Sequence, residues 1–198
     1  MHSDAKKSSQ ILAQGIGVFA RKGYHDVNVE DLIAAAGVSR ATFYAHYKNK
    51  EDLFTEIVDH LLQEESAFVL QIQQSFLISS DLAGAIENII STLATEAGRN
   101  RDAMILFFDV IPGSGTRAEE RFKRMQKVTL DHFTAMIRRN METQGYSSAA
   151  ALALAYLLIG GLSHVGRMIL YGEMPEPEIQ VLIDGMKELL KSRFGGHE

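Results

Sequence analysis

A chain of 198 residues, 46% hydrophobic and 23% charged, carries enough apolar surface for a sizeable core, which excludes a disordered or fibrous polypeptide. It has no cysteine, so disulfides, thiolate zinc sites and cysteine nucleophiles are excluded as well. The net charge of -5 speaks against a polyanionic partner for the chain as a whole, but the charge is unevenly spread: residues 1–50 hold seven Lys/Arg against four Asp/Glu, and residues 51–198 hold thirteen against twenty-one. A basic head on an acidic body confines contact with a polyanion to the head.

The opening residues, Met1 to Lys7, have no apolar run behind the lysines, so no secretory signal and a cytoplasmic location are expected. Prolines occur only at 112, 175 and 177, and alternating β-branched runs are nearly missing, which predicts an all-α chain. Helices are predicted at about 4–22, 29–36, 40–46, 50–76, 81–98, 101–111, 116–143, 147–172 and 176–194. Gly23, following Arg21 and Lys22, is a stop signal for the first. Asn28 is suited to cap the second, with Val27 and Leu32 stapling across the cap, and Asn49 with Asp52 to cap the fourth. The run from Ile111 to Thr116, rich in Gly with Pro112, breaks helicity by composition and is expected as a loop. The most apolar stretch, Ala149 to Leu162, reads as too short to span a bilayer and therefore as a buried helix.

The segment from Asn28 to Phe54 carries the functional signal. The predicted helix 29–36 ends in Ala34, Ala35 and Ala36, small enough for a second helix to approach at a steep angle. Gly37 makes the turn, Val38 plugs the angle and Ser39 caps the next helix: a helix-turn-helix by residue chemistry. At 100° per residue, Arg40, Ala41, Tyr44 and Ala45 share one face while Phe43 and Tyr47 turn toward the core. Arg40 at the helix start can donate two hydrogen bonds to guanine O6 and N7, and Ala41 suits close approach or a thymine methyl. Thr42 and Tyr44 bring hydroxyls for phosphate oxygens, and His46, Lys48 and Lys50 extend that surface.

Through Phe19 to Tyr24, Ala36-Gly-Val-Ser39 and Phe43 to Leu53, the chain resembles the tetracycline-repressor (TetR) family over roughly Lys6 to Leu61. The resemblance implies an N-terminal three-helix DNA-binding domain, residues 1–50, and a helical ligand-binding and dimerisation domain, residues 51–198. It also implies a four-helix dimer interface built from the last two helices of each copy. Asn28, where the family commonly has threonine, joins Ser39, Arg40, Ala41, Thr42, Tyr44, His46, Lys48 and Lys50 as an expected DNA-contacting residue.

In the C-terminal part, Met104, Phe107, Phe108, Met125, Phe133, His164 and Met168 are candidates to line an adaptable apolar pocket for a hydrophobic or amphipathic inducer, since methionine repacks around differently shaped guests. Leu152, Tyr156, Gly160, Ser163, Ile179, Leu182, Met186 and Leu189 are candidates for the dimer interface, because helices apolar nearly all round need neighbours on several sides. Neither metal ligands at paired spacing nor a nucleophile with its base is visible, so no metal, cofactor or enzymatic activity is expected. The function expected is that of a homodimeric repressor on double-stranded palindromic operator DNA. Inducer binding would release it by shifting the helix that runs from Asn49 to about Phe76. The alternative is an architectural or protein-interaction module of the same fold without an inducer.

Overall fold

The computed structural model describes residues 2–63, 82–143 and 147–194, and among them every regular element is a helix. In chain order these are α1 (His2–Asp26), α2 (Val29–Ala36), α3 (Arg40–His46), α4 (described over 50–63), α5 (Leu82–Arg99), α6 (Arg101–Ile105), α7 (Arg117–Thr143), α8 (Ser148–Tyr171) and α9 (Glu176–Phe194). The 64–76 portion of the predicted fourth helix lies outside the described residues. The chain forms two compact units: 2–63 with 100–125, and 82–99 with 126–143 and 147–194. The unit that contains the helix-turn-helix is thus larger than the 50-residue head expected from the sequence, because residues 100–125 complete its core.

That core is continuous. Phe19, Leu32, Phe43, Leu53, Phe54 and Ile57 from the first four helices bury together with Leu106, Ile111, Ala118 and Phe122 from the later segment. The rings interlock: Phe19 meets Phe54 edge-on at 4.9 Å, and Phe107 meets Phe122 at 4.9 Å. α1 is broken at Gly23, whose φ of 75° and ψ of 164° leave the helical region, as the stop signal there predicts.

One sequence expectation is corrected in this unit. The predicted helix 101–111 is α-helical only to Ile105; Leu106–Val110 form a π turn and Ile111–Gly113 a 3-10 turn. The Ile111 N–H donates five residues back to the Leu106 carbonyl, and Pro112, with no N–H, ends the ladder. The run from Ile111 to Thr116 breaks the helix as expected, as a packed turn. Ile111 is wholly buried, and the Ser114 hydroxyl donates to the Ile111 carbonyl at 3.1 Å. The Gly115 N–H donates to the Glu119 carboxylate at 2.7 Å, and the Gly113 carbonyl lies 3.2 Å from His25 Nε2. Lys123 and that N–H hold the Glu119 carboxyl below the usual carboxylate range.

In the second unit, Ile90, Val165 and Ile183 from α5, α8 and α9 pack with Leu154, Leu158, Ile179, Leu182 and Met186. A second cluster joins Ile137 and Met141 of α7 to Ala151 and Ala155 of α8. α8 is capped by the Ser147 hydroxyl, which accepts from Ala150 N at 3.2 Å, and closed by Gly172 at φ 71°. α8 matches the helix predicted over 147–172, but it is less buried than the apolar stretch 149–162 led one to expect. α8 has 24 residues, long and apolar enough by length and composition to cross a membrane, yet only 28% of its most apolar window is buried.

Candidate nucleic-acid interface

The short helices α2 and α3 are fixed by local chemistry before any long-range contact is counted. Asn28 and Asp31 form a reciprocal capping box at the start of α2: Asp31 N donates to Asn28 Oδ1 at 2.9 Å, and Asn28 N donates to Asp31 Oδ2 at 3.1 Å. Lys22 reaches from α1 to Asp31 at 2.7 Å, so the carboxyl is held below its ordinary pKa, first by the Lys22 hydrogen bond and then by the Asn28 N–H. Gly37, at φ 60°, turns the chain, and its N–H returns to the Ala34 carbonyl. Ser39 Oγ then accepts from Thr42 N at 3.1 Å and starts α3.

α3 is anchored from behind. Phe43 is 0% exposed and Tyr47 is buried, its hydroxyl 3.2 Å from Ser8 Oγ on α1. Burial raises the Tyr47 pKa above that of a free phenol. Gln10 Nε2 donates to the Ala36 carbonyl at 2.7 Å, tying α1 to the end of α2. With that face fixed, Arg40, Ala41, Tyr44 and Ala45 all lie exposed on the other, as the helical spacing predicts. Thr42 is half-buried and shares a hydrogen bond of 2.8 Å with the Ser39 hydroxyl. Lys48 is exposed, and its backbone N–H donates to Asp52, which is itself reached by the Asn49 cap of α4. Such a face offers a planar guanidinium, a methyl, a phenol and an ammonium side by side, the groups that address base edges and phosphates.

Lys50 has a different place from the one expected. Its ammonium donates to the carbonyls of Tyr24, His25 and Val27 at 2.9, 3.0 and 2.7 Å and sits 4.7 Å from the centre of the Tyr24 ring. All three ammonium donors are therefore engaged at the end of α1, and Lys50 clasps α4 to α1. Arg40 is likewise engaged, in an exposed ion pair with Glu30 of α2. His46 is half-buried and lines a hollow of about 770 Å³ with Glu51, Asp52, Glu56, Asp59, Arg117 and Arg121. That lining is charged, unlike the apolar pocket expected for an inducer, and Arg121 is paired with Asp59 at 2.6 Å across it.

The seven inducer candidates divide between the units: Met104, Phe107, Phe108 and Met125 belong to the first, and Phe133, His164 and Met168 to the second. Phe107 packs against the core of the first unit, whereas His164 is exposed. The dimer candidates divide differently. Leu152, Tyr156, Gly160, Ser163 and Leu189 are exposed; Ile179, Leu182 and Met186 pack inside their own unit's core. Leu157 and Val181 are the most exposed of the large apolar side chains on α8 and α9, at 72% and 71%. Among the described residues no group of three or more His, Cys, Asp or Glu converges as a metal site.

Residues 11–57, the first four helices of this unit, match the profile of the bacterial regulatory proteins of the tetR family. Over that segment the chain is similar to the tetR family. It is 23% identical over 180 residues to the HTH-type transcriptional regulator YerO of Bacillus subtilis, covering 85% of this chain and 58% of the length of that relative. Its fold is that of FadR from Bacillus subtilis, solved in complex with stearoyl-CoA, with a TM-score of 0.67, 19% identity and coverage of 96% and 99% of the two chains. AibR, solved with isovaleryl coenzyme A and operator DNA, is similar at a TM-score of 0.69, 15% identity and coverage of 93% and 97%. The proteins this chain matches are transcription regulators rather than enzymes.

Proposed function

We propose that this protein is a cytoplasmic homodimeric repressor that grips palindromic operator DNA with α3 and lets go when a hydrophobic or amphipathic inducer binds. The observation that carries the DNA half of this reading is the two-sided character of α3: Phe43 and Tyr47 buried, Arg40, Ala41 and Tyr44 outward. In this reading Arg40 and Ala41 address base edges, while Tyr44, Lys48 and the Ser39–Thr42 hydroxyl pair address phosphates, with Asn28 and His46 at the margins of the contact. The dimer is supported by the apolar face that Leu152, Tyr156, Leu157 and Leu189 leave uncovered. Two such faces related by a twofold axis make a four-helix bundle, and twofold symmetry in the protein calls for palindromy in the DNA.

The inducer class is supported by composition, through the Met and Phe residues at 104, 107, 108, 125, 133 and 168, with His164 as a polar neighbour. Acyl-coenzyme A esters, bound by FadR and AibR, are amphipathic and belong to that class. The test is to select an operator from random duplexes and then titrate the complex with acyl-coenzyme A esters of graded chain length and with free fatty acids. A ligand that binds should lower operator affinity by its coupling, about five- to 150-fold. If every ligand that binds leaves DNA affinity unchanged, induction by this class is wrong.

A further inference from the structure

On the outer surface of the helix-turn-helix, one ion pair joins α2 to α3: the Arg40 guanidinium is held by the Glu30 carboxylate. Both side chains are well exposed, at 67% and 61%, so the pair contributes little to stability. Glu30 is not needed for the start of α2 either, since Asp31 already supplies the capping carboxylate there. A carboxylate beside a surface that meets phosphates repels them, so Glu30 works against affinity unless it does something for Arg40.

We propose that Glu30 is a positioning residue that sets sequence specificity: it holds one edge of the Arg40 guanidinium and leaves the remaining donors aimed at a base edge. A guanidinium carries five N–H donors in a rigid planar fork, so a carboxylate can grip one side while the other still donates in pairs to guanine O6 and N7. The same grip keeps Arg40 from swinging to a phosphate, a contact blind to sequence. Glu30 thereby exchanges affinity for discrimination. This inference rests on the operator-reading role proposed for α3.

The experiment uses the full-length chain, the operator selected by the wild type, duplexes with each base pair changed symmetrically, and a shuffled duplex, compared for wild type, Glu30→Gln, Arg40→Ala and the double variant. Arg40→Ala should lose preference at one symmetric position. Glu30→Gln should lose about tenfold or more of the preference at that same position. It should bind the shuffled duplex as well as or better than wild type and unfold at the same temperature. The double variant should discriminate no worse than Arg40→Ala alone. The inference is overturned if Glu30→Gln keeps its full preference at the Arg40 position, or weakens all duplexes by one common factor. If wild type enriches no sequence at all, the reading of α3 falls with it. If wild type is selective and Arg40→Ala shifts one position that Glu30→Gln leaves alone, only the role of Glu30 falls.

Discussion

The two units of this chain solve the burial problem differently. The first closes on itself: Phe19, Phe43, Phe54 and Phe122 are all fully buried, and the starts of α2, α3 and α4 are each capped by a side chain. The second buries residues such as Ile90, Ile137, Ala155, Val165 and Ile183, yet leaves Leu152, Tyr156, Leu157, Val181 and Leu189 in solvent on α8 and α9. So many large apolar side chains exposed on two helices are a feature of surfaces that meet a partner. The contrast teaches that the first unit can hold its reading face rigid by itself, whereas the second is finished by another copy in the proposed dimer.

The comparison breaks most visibly at Phe43. Replacing it with alanine should remove about 3–5 kcal/mol from the first unit, because the ring is wholly buried between α3 and the rest of the core. Urea unfolding followed by helical signal should show this as a lowered midpoint; a loss below about 1 kcal/mol would mean that the core tolerates a cavity there and is not the rigid support described. A smaller effect, about 1 kcal/mol, is expected for Ser39→Ala, which strands the Thr42 N–H at the start of α3. An equal loss in Ser39→Gly would point to the hydroxyl poorly, so glycine, which caps moderately, should cost only a few tenths of a kcal/mol.

The smallest expected effect is a matter of pH. Asp31 has its pKa lowered on folding by Lys22 and the Asn28 N–H. The unfolded carboxyl therefore takes up its proton first as pH falls. The contribution of the bridge is complete above the usual carboxylate range, about 4, and is lost as pH drops through the lowered folded value. Asp31→Asn should be less stable than wild type at neutral pH, with the gap narrowing toward pH 3. Thermal midpoints at the two pH values check the sign, and a gap that widens on acidification would contradict it.

Much of the first unit was legible in the sequence because its signals are local. Asn28, Gly37, Ser39 and Asn49 act within three or four residues of themselves, and the positions of Phe43 and Tyr47 follow from helical spacing alone. What stayed hidden depends on partners distant in the chain. Lys50 meets carbonyls 23 to 26 residues away, and Arg40 meets Glu30 ten residues back. The π turn at Leu106–Val110 has no spacing signature, so a continuous helix was the natural expectation. In α9 the sequence offers apolar residues on more than one side. Periodicity could not tell that Leu182 faces its own core while Val181 faces solvent.

That last distinction turns the central contrast into a single measurement, sedimentation equilibrium at micromolar concentration of the wild type, Leu157→Arg and Leu182→Arg. If the exposed face of the second unit is closed by another copy, the wild type sediments at twice 22.0 kDa. Leu157→Arg, which puts a charge on that face without touching the chain's own core, should sediment as a folded monomer with unchanged helical content. Leu182→Arg should instead lose helical stability, because its charge enters the core. A monomeric wild type, or a Leu157→Arg variant that remains an undisturbed dimer, would contradict the account.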